Sequence, residues 1–152
     1  MDLVLFTDAI EHIVKIHRII TTQFGNALLV GVGGSGRKSL SELATFIAQY
    51  EMLQLEMVKG YDMKQWREDM VNLLFIAAGI ENNPHVFLLA DTQIINEAFV
   101  EDVNNILNNG KIPNLYGGED TTKIMEDMRE THKQDDRVRN MEDPEVMQLF
   151  ED

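Results

Sequence analysis

Nine residues, Gly31-Val32-Gly33-Gly34-Ser35-Gly36-Arg37-Lys38-Ser39, carry the densest chemical signal in the chain. Glycines let backbone N–H groups turn toward an anion, and a helix starting directly behind the turn adds free N–H groups and the positive end of its dipole. Such a loop suits phosphate. In the pattern G-x-x-x-x-G-K-[ST], the lysine reaches the outer phosphates and the hydroxyl ligates magnesium. Here Arg37 stands at the lysine position and Lys38 at the hydroxyl position. The glycines admit a second reading, because Gly31, Gly33 and Gly36 also satisfy the dinucleotide fingerprint G-x-G-x-x-G, with Glu56 placed 20 residues past Gly36 as a ribose-binding acid would be. A third reading makes them only a tight turn between strand and helix. Four glycines in six residues are more than a turn requires.

The elements around the loop decide what it can do. Residues 8–22 are expected to form an amphipathic helix, with Asp8 and Glu11 as a capping box and Ile10, Ile13, Val14, His17 and Ile20 on its buried stripe. Phe24-Gly25-Asn26 stops it. Ala27-Leu28-Leu29-Val30 is a continuous apolar run, as in a strand buried on both faces, leading into the loop over 27–31. A helix follows on Leu40, Leu43, Ala44 and Ile47. The unit repeats: a second strand over 52–57 through Leu53, Leu55 and Met57, then a helix on Met63, Trp66, Met70, Leu73, Leu74 and Ala77. After the Asn82-Asn83-Pro84 turn comes a third strand, Val86-Phe87-Leu88-Leu89-Ala90, ending in Asp91. A further helix carries Phe99, Val103, Ile106 and Leu107 and stops at Asn108-Asn109-Gly110. The alternation predicts an α/β fold with a parallel sheet. An acid ending a buried strand is what a magnesium-orienting carboxylate needs, and a dinucleotide fold has no use for one there. Asp91 therefore favours the phosphate loop over the fingerprint.

Composition sets the outer bounds. The 152 residues suffice for one domain or part of a larger one. No apolar run approaches the length of a membrane span and no signal-like leader opens the chain, so the expected place is the cytoplasm. The absence of cysteine removes disulfides and thiolate metal sites. A formal charge of −13 argues against nucleic acid or an anionic membrane as partner. From Gly117 onward, 12 acids and 5 bases give −7 of that total. Trp66 and the methionines read as core and interface filling. His12, His17, His85 and His132 lack ligand spacing.

The segments LVLFTDAIEHI, GNALLVGVGGSGRKSL, GYDMKQWREDM, VFLLADTQI and FVEDVNNILNNGKIPNLY, in that order, resemble the fourth AAA+ module of dynein heavy chains, closer to the axonemal than to the cytoplasmic members. The likeness covers roughly residues 1–116; residues 117–152 form an acidic tail expected to be mostly helical or irregular. It implies a three-layer P-loop NTPase (AAA+) core with a parallel sheet, truncated before the fourth and fifth strands. It also implies ATP or ADP as ligand, with magnesium oriented indirectly by Asp91, on a cradle formed by Gly31, Val32, Gly33, Gly34, Ser35, Gly36, Arg37, Lys38 and Ser39. Neighbouring AAA+ modules of the same heavy chain and other dynein chains are the implied partners. Microtubules are reached only through a stalk outside this chain, and the implied location is the axoneme of a cilium or flagellum. In that family the fourth module tunes a motor driven by the first.

Two departures limit the chemistry. Lys38 has no lone pair for magnesium when protonated. Thr92 follows Asp91 where an active module carries a glutamate to orient the attacking water, and a threonine hydroxyl is a poor base at neutral pH. The module is thus expected to bind nucleotide, to regulate, and to hydrolyse little or nothing; the alternative is a Rossmann-type NAD(P)-binding oxidoreductase domain. Because the AAA+ order 5-1-4-3-2 sets strand 27–31 between two strands that this chain lacks, that segment is expected to slide beside 86–91 or stand apart. A marginally stable chain with weak nucleotide affinity should result.

Overall fold

A computed structural model describes residues 6–75 and 83–151; Leu3-Val4-Leu5, beside which the resemblance implies the adenine, and the helix and turn expectations on Ala77 and Asn82 lie outside the described residues. Within them the chain forms α1 (Thr7–Ile20), α2 (Arg37–Ile47), β1 (Glu51–Gln54), α3 (Met63–Phe75), β2 (His85–Leu88), a 3-10 turn (Asp91–Gln93), α4 (Glu97–Asn109), α5 (Gly118–Thr131), α6 (Asp136–Asn140) and α7 (Asp143–Glu151). They fall into two compact units. The first comprises residues 6–54 and 84–88, the second 55–75, 83 and 89–151.

In the first unit β1 and β2 pair in parallel, with Glu51 opposite His85 and Gln54 opposite Leu88. The two strands are shorter than the expected 52–57 and 86–91, and Asp91 opens the 3-10 turn instead of ending a strand. Residues 27–31 are not a strand. Their sequence suits one, but an apolar extended segment without neighbours has no ladder to join: Leu28 is 90% and Val30 84% exposed. Of the two outcomes foreseen for this segment, it stands apart. The expected sheet of three candidate strands is a sheet of two among the described residues.

The core of this unit is α1 against α2, built on Ile13, Ile16 and Ala44 with Ile20, Leu29, Leu40 and Leu43 around them. The buried face of α1 is Ala9, Ile13 and Ile16, so the expected stripe was rotated: Ile10 and Val14 are about half exposed. The capping box is also absent. Phe6 is the N-cap and makes no side-chain cap bond, Asp8 sits inside the first turn, and Glu11 lies 3.9 Å from Lys15 in an exposed pair. Gly25 follows the helix because a Cβ there would fall 1.8 Å from the Ile19 carbonyl oxygen.

The second unit is organised by Trp66. Its indole stacks on Phe99 at a centroid distance of 4.3 Å and an interplanar angle of 8°, and Tyr61 meets Phe99 edge-on at 6.1 Å. Leu55, Met70, Ile112 and Leu115 complete this buried cluster. Asp102 is buried within it and accepts hydrogen bonds from Trp66 Nε1 (3.0 Å) and Arg67 Nη2 (3.3 Å), which removes the cost of enclosing a carboxylate. α4 ends as its sequence requires, with Gly110 left-handed at φ 74°. The acidic tail is helical: α5 and α7 pack through Ile124, Met128, Val146 and Phe150, with Phe75 and Tyr116 at the border of this cluster.

Candidate functional site

The phosphate-loop candidate begins at a fixed point. Leu29 packs into the α1–α2 core while its neighbours Leu28 and Val30 face outward. Residues 31–36 are then exposed, and α2 starts at Arg37. Gly34 and Gly36 hold φ of 77° and 76°, a region in which a side chain is strained, so these two glycines make the turn that brings the chain back into a helix. Gly36 is itself the N-cap of α2 and supplies no side-chain bond to the first turn. The first regular helix bond, Leu40 N–H to the Gly36 carbonyl, is 2.9 Å.

Helices ordinarily begin with acids, which complement the free N–H groups and the dipole; α2 begins with none and with two cations, Arg37 and Lys38. That end of the helix is electropositive twice over, and an anion there would offset both charges and satisfy open donors. These residues therefore fit the phosphates of ATP or ADP. They do not fit a directly ligated magnesium ion. Lys38, in place of a hydroxyl, is turned along the exposed face of α2 to Glu42 at 3.9 Å. No group of three or more His, Asp or Glu side chains among the described residues could hold a metal.

Arg37 behaves differently from the lysine it replaces in the pattern. Its guanidinium folds back over the loop, donating from Nη1 to the Leu29 carbonyl (3.2 Å) and from Nη2 to the Val32 carbonyl (3.4 Å). The Val32 carbonyl also accepts from Ser35 N–H at 3.3 Å. A Cβ on Gly31 would lie 3.3 Å from Ser35 Oγ and 3.6 Å from Arg37 Cδ, so this glycine gives the arginine its path along the loop. The structure thus gathers Gly31, Val32, Ser35 and Arg37 around one set of contacts and leaves Lys38 outside it. Ser39 is half-buried in the first turn of α2.

Asp91 belongs to the second unit. It and Thr92 are exposed, at the start of the 3-10 turn. The residue that fixes this turn is Gln93, to which neither glycine-loop pattern gives a role. Its side chain accepts from Ala90 N–H and donates to the Leu55 carbonyl, both at 2.7 Å. Leu55 and Ala90 follow the last paired residues of β1 and β2, so the amide of Gln93 bridges the two chains where backbone pairing has ended. A glutamine two residues past a strand-terminal acid was the available signal. Glu56, the acid of the dinucleotide reading, is exposed in the second unit.

The model of a family described as P-loop containing dynein motor region D4 matches residues 1–152, the tail included. The chain is similar to rat dynein axonemal heavy chain 1, at 53% identity over 129 residues, and to its human counterpart, at 51% over 129; each match takes in 85% of this chain and 3% of the relative. It is also similar to the dynein-1-beta heavy chain of the flagellar inner arm I1 complex of Chlamydomonas reinhardtii, at 49% identity over 133 residues, 88% of this chain and 3% of the relative. The chain therefore spans about 3% of the length of the curated relatives it matches.

Proposed function

The chain belongs to the family of P-loop-containing dynein motor regions D4, and from that premise we propose that it is an ATP- or ADP-binding regulatory AAA+ module of an axonemal dynein heavy chain, with little or no hydrolysis of its own. The observation that carries this reading is the start of α2, where an exposed turn with two left-handed glycines delivers an uncapped helix end bearing two cations and no acid. Gly31, Val32, Gly33, Gly34, Ser35 and Gly36 supply backbone N–H groups, Arg37 supplies charge, and Ser39 lies in the turn that follows.

Binding and hydrolysis separate at two side chains. Lys38 adds positive potential for phosphate but cannot ligate a metal, and Thr92 cannot serve as base beside Asp91. The backbone edges of residues 27–31 are then where the fourth and fifth strands of the complete AAA+ core would pair, and the exposed apolar side chains of Leu28, Val30 and Val32 would be covered in that core, with residues 1–116 as the nucleotide-facing part and 117–152 as a helical extension. Partners would be the neighbouring AAA+ modules and other dynein chains, in the axoneme, with microtubule contact made elsewhere in the motor. No helix among the described residues is long and apolar enough to cross a membrane.

Titration of the chain with fluorescent ADP, and separately with NADH, tests the assignment. Saturable ADP binding without NADH binding is expected. NADH binding abolished by Glu56→Ala would replace this reading with the dinucleotide one.

A further inference from the structure

We propose that Arg37 latches the phosphate loop onto itself when no phosphate is bound, holding the Leu29 and Val32 carbonyls and exchanging them for phosphate oxygens when nucleotide enters. The inference rests on the nucleotide reading of the loop and adds a means of regulating it. Three observations carry it. The two acceptors are bonded by different nitrogens of the guanidinium, Nη1 and Nη2, so the planar fork spans the loop from its anchored entry at Leu29 to its exposed middle at Val32. The side chain lies along Gly31 at van der Waals distance. Lys38, the other cation of the first turn, is paired outward with Glu42. The cation nearest the loop is thus engaged with the loop's own carbonyl oxygens.

Carbonyl and phosphate oxygens compete for the same N–H donors. Two of the five guanidinium N–H groups are spent on carbonyls and hold the fork against the loop, so turning it to grip a phosphate in bidentate fashion gives up at least one of these bonds, and the apparent affinity is the intrinsic affinity multiplied by the fraction of molecules unlatched. Lysine at this position would keep the charge, but a single ammonium on a flexible stem cannot reproduce a two-nitrogen bridge. Arg37→Lys should therefore weaken the latch more than it weakens attraction to phosphate. Arg37→Met should lose both.

The test uses the 152-residue chain and two variants, with far-UV circular dichroism of the α1–α2 unit's helices and Trp66 fluorescence of the second unit confirming that all three are folded. Hydrogen exchange of the Ser35 amide, which shares the Val32 carbonyl with Arg37, is measured first without nucleotide, and ADP affinity second. The latch requires faster Ser35 exchange in both Arg37→Lys and Arg37→Met, ADP binding tightened roughly threefold to tenfold in Arg37→Lys, and binding lost in Arg37→Met. Unchanged Ser35 exchange overturns the latch whether or not ADP binds. Faster exchange with weaker ADP binding by Arg37→Lys overturns the competition. Faster exchange in variants when none of the three chains, wild type included, binds ADP at millimolar concentration overturns the proposal through the nucleotide reading, a failure distinguishable from the other two.

Discussion

Replacing the loop glycines one at a time by alanine should separate the role of backbone shape from that of space. A Cβ built on Gly33, Gly34 or Gly36 meets no atom within 4 Å, so none of the three substitutions crowds the protein itself. What differs is the backbone. Gly34 and Gly36 have φ of 77° and 76°, whereas Gly33 is not in the positive-φ region. Left-handed backbone costs an L-residue about 1–2 kcal/mol. Loss of unfolded-state freedom on going from glycine to alanine returns about 0.4–1 kcal/mol. Taking the middle of both ranges, Gly34→Ala and Gly36→Ala should then each destabilise the chain by a net amount on the order of 0.8 kcal/mol, and asparagine should cost less than alanine. Gly33→Ala should be neutral or slightly stabilising. If phosphate occupies the loop, however, the empty space over Gly33 is where it approaches, and Gly33→Ala should weaken ADP binding by roughly tenfold or more, the scale of one lost or misplaced charge-assisted contact. Urea titrations followed by Trp66 fluorescence and far-UV circular dichroism give the stabilities, and fluorescent ADP gives the affinities. A Gly36→Ala chain as stable as the parent would refute the conformational part. A Gly33→Ala chain that binds ADP undiminished would refute the placement of the phosphates.

Three further outcomes follow from other parts of the molecule. Asp102→Ala should destabilise by about 2–3 kcal/mol because it strands the buried Trp66 N–H, whereas Asp102→Asn keeps an acceptor and should cost less; equal costs in chemical denaturation would show that the indole bond carries no weight. ATP hydrolysis by the unmodified chain should match a buffer control, and Lys38→Thr combined with Thr92→Glu is the variant in which turnover could appear; robust phosphate release by the parent, lost in Asp91→Ala, would contradict the assignment of these side chains. Burial, aided by the nearby charges of Glu151 and Asp120, pushes the Tyr116 hydroxyl up to about 12. Between the ordinary tyrosine range near 10 and that value the folded chain holds a proton that the unfolded chain has lost, so stability should fall as pH rises through this window. Tyr116→Phe should flatten that fall in alkaline melts, and an unchanged slope would assign it to other groups.

The sequence was most legible where one residue type has one structural use. Gly110 after Asn108-Asn109 could only end α4, and it does so in the left-handed conformation. Trp66, Met70 and Phe99, spaced for helix faces and too large to leave outside, form the core of the second unit. Legibility failed where local pattern and tertiary context disagree. Ala27-Leu28-Leu29-Val30 has the composition of a buried strand, but a strand is completed by its neighbours, and of these residues Leu29 alone packs into the α1–α2 core. α1 has aliphatic residues on more than one side, so a stripe through Ile10 and Val14 looked as good as the actual one through Ala9 and Ile16; alanine gives no hydropathic signal strong enough to choose. In α2, Ser41 and Thr45 are buried although polar, because each hydroxyl donates to the carbonyl four residues earlier, Arg37 and Ser41 respectively.

At the candidate site the residue types were readable and their contacts were not. The departure at Arg37 was visible as a change of cation, but its engagement with the Leu29 and Val32 carbonyls depends on a loop curvature set by Gly34 and Gly36. Gln93 has no role in either glycine-loop pattern, and its bond to the Leu55 carbonyl joins segments distant in sequence. Asp91 was expected as the end of a strand; three residues beyond β2, it opens a turn that Gln93 holds.

The most direct measurement is an ADP titration of the isotope-labelled chain followed through backbone amide resonances. If the glycine loop and the start of α2 form the nucleotide site, the largest saturable shifts fall on Gly33, Gly34, Ser35, Gly36, Arg37, Lys38 and Ser39, with one common dissociation constant. Saturable shifts confined to other segments, or none at millimolar ADP in a folded chain, would contradict it.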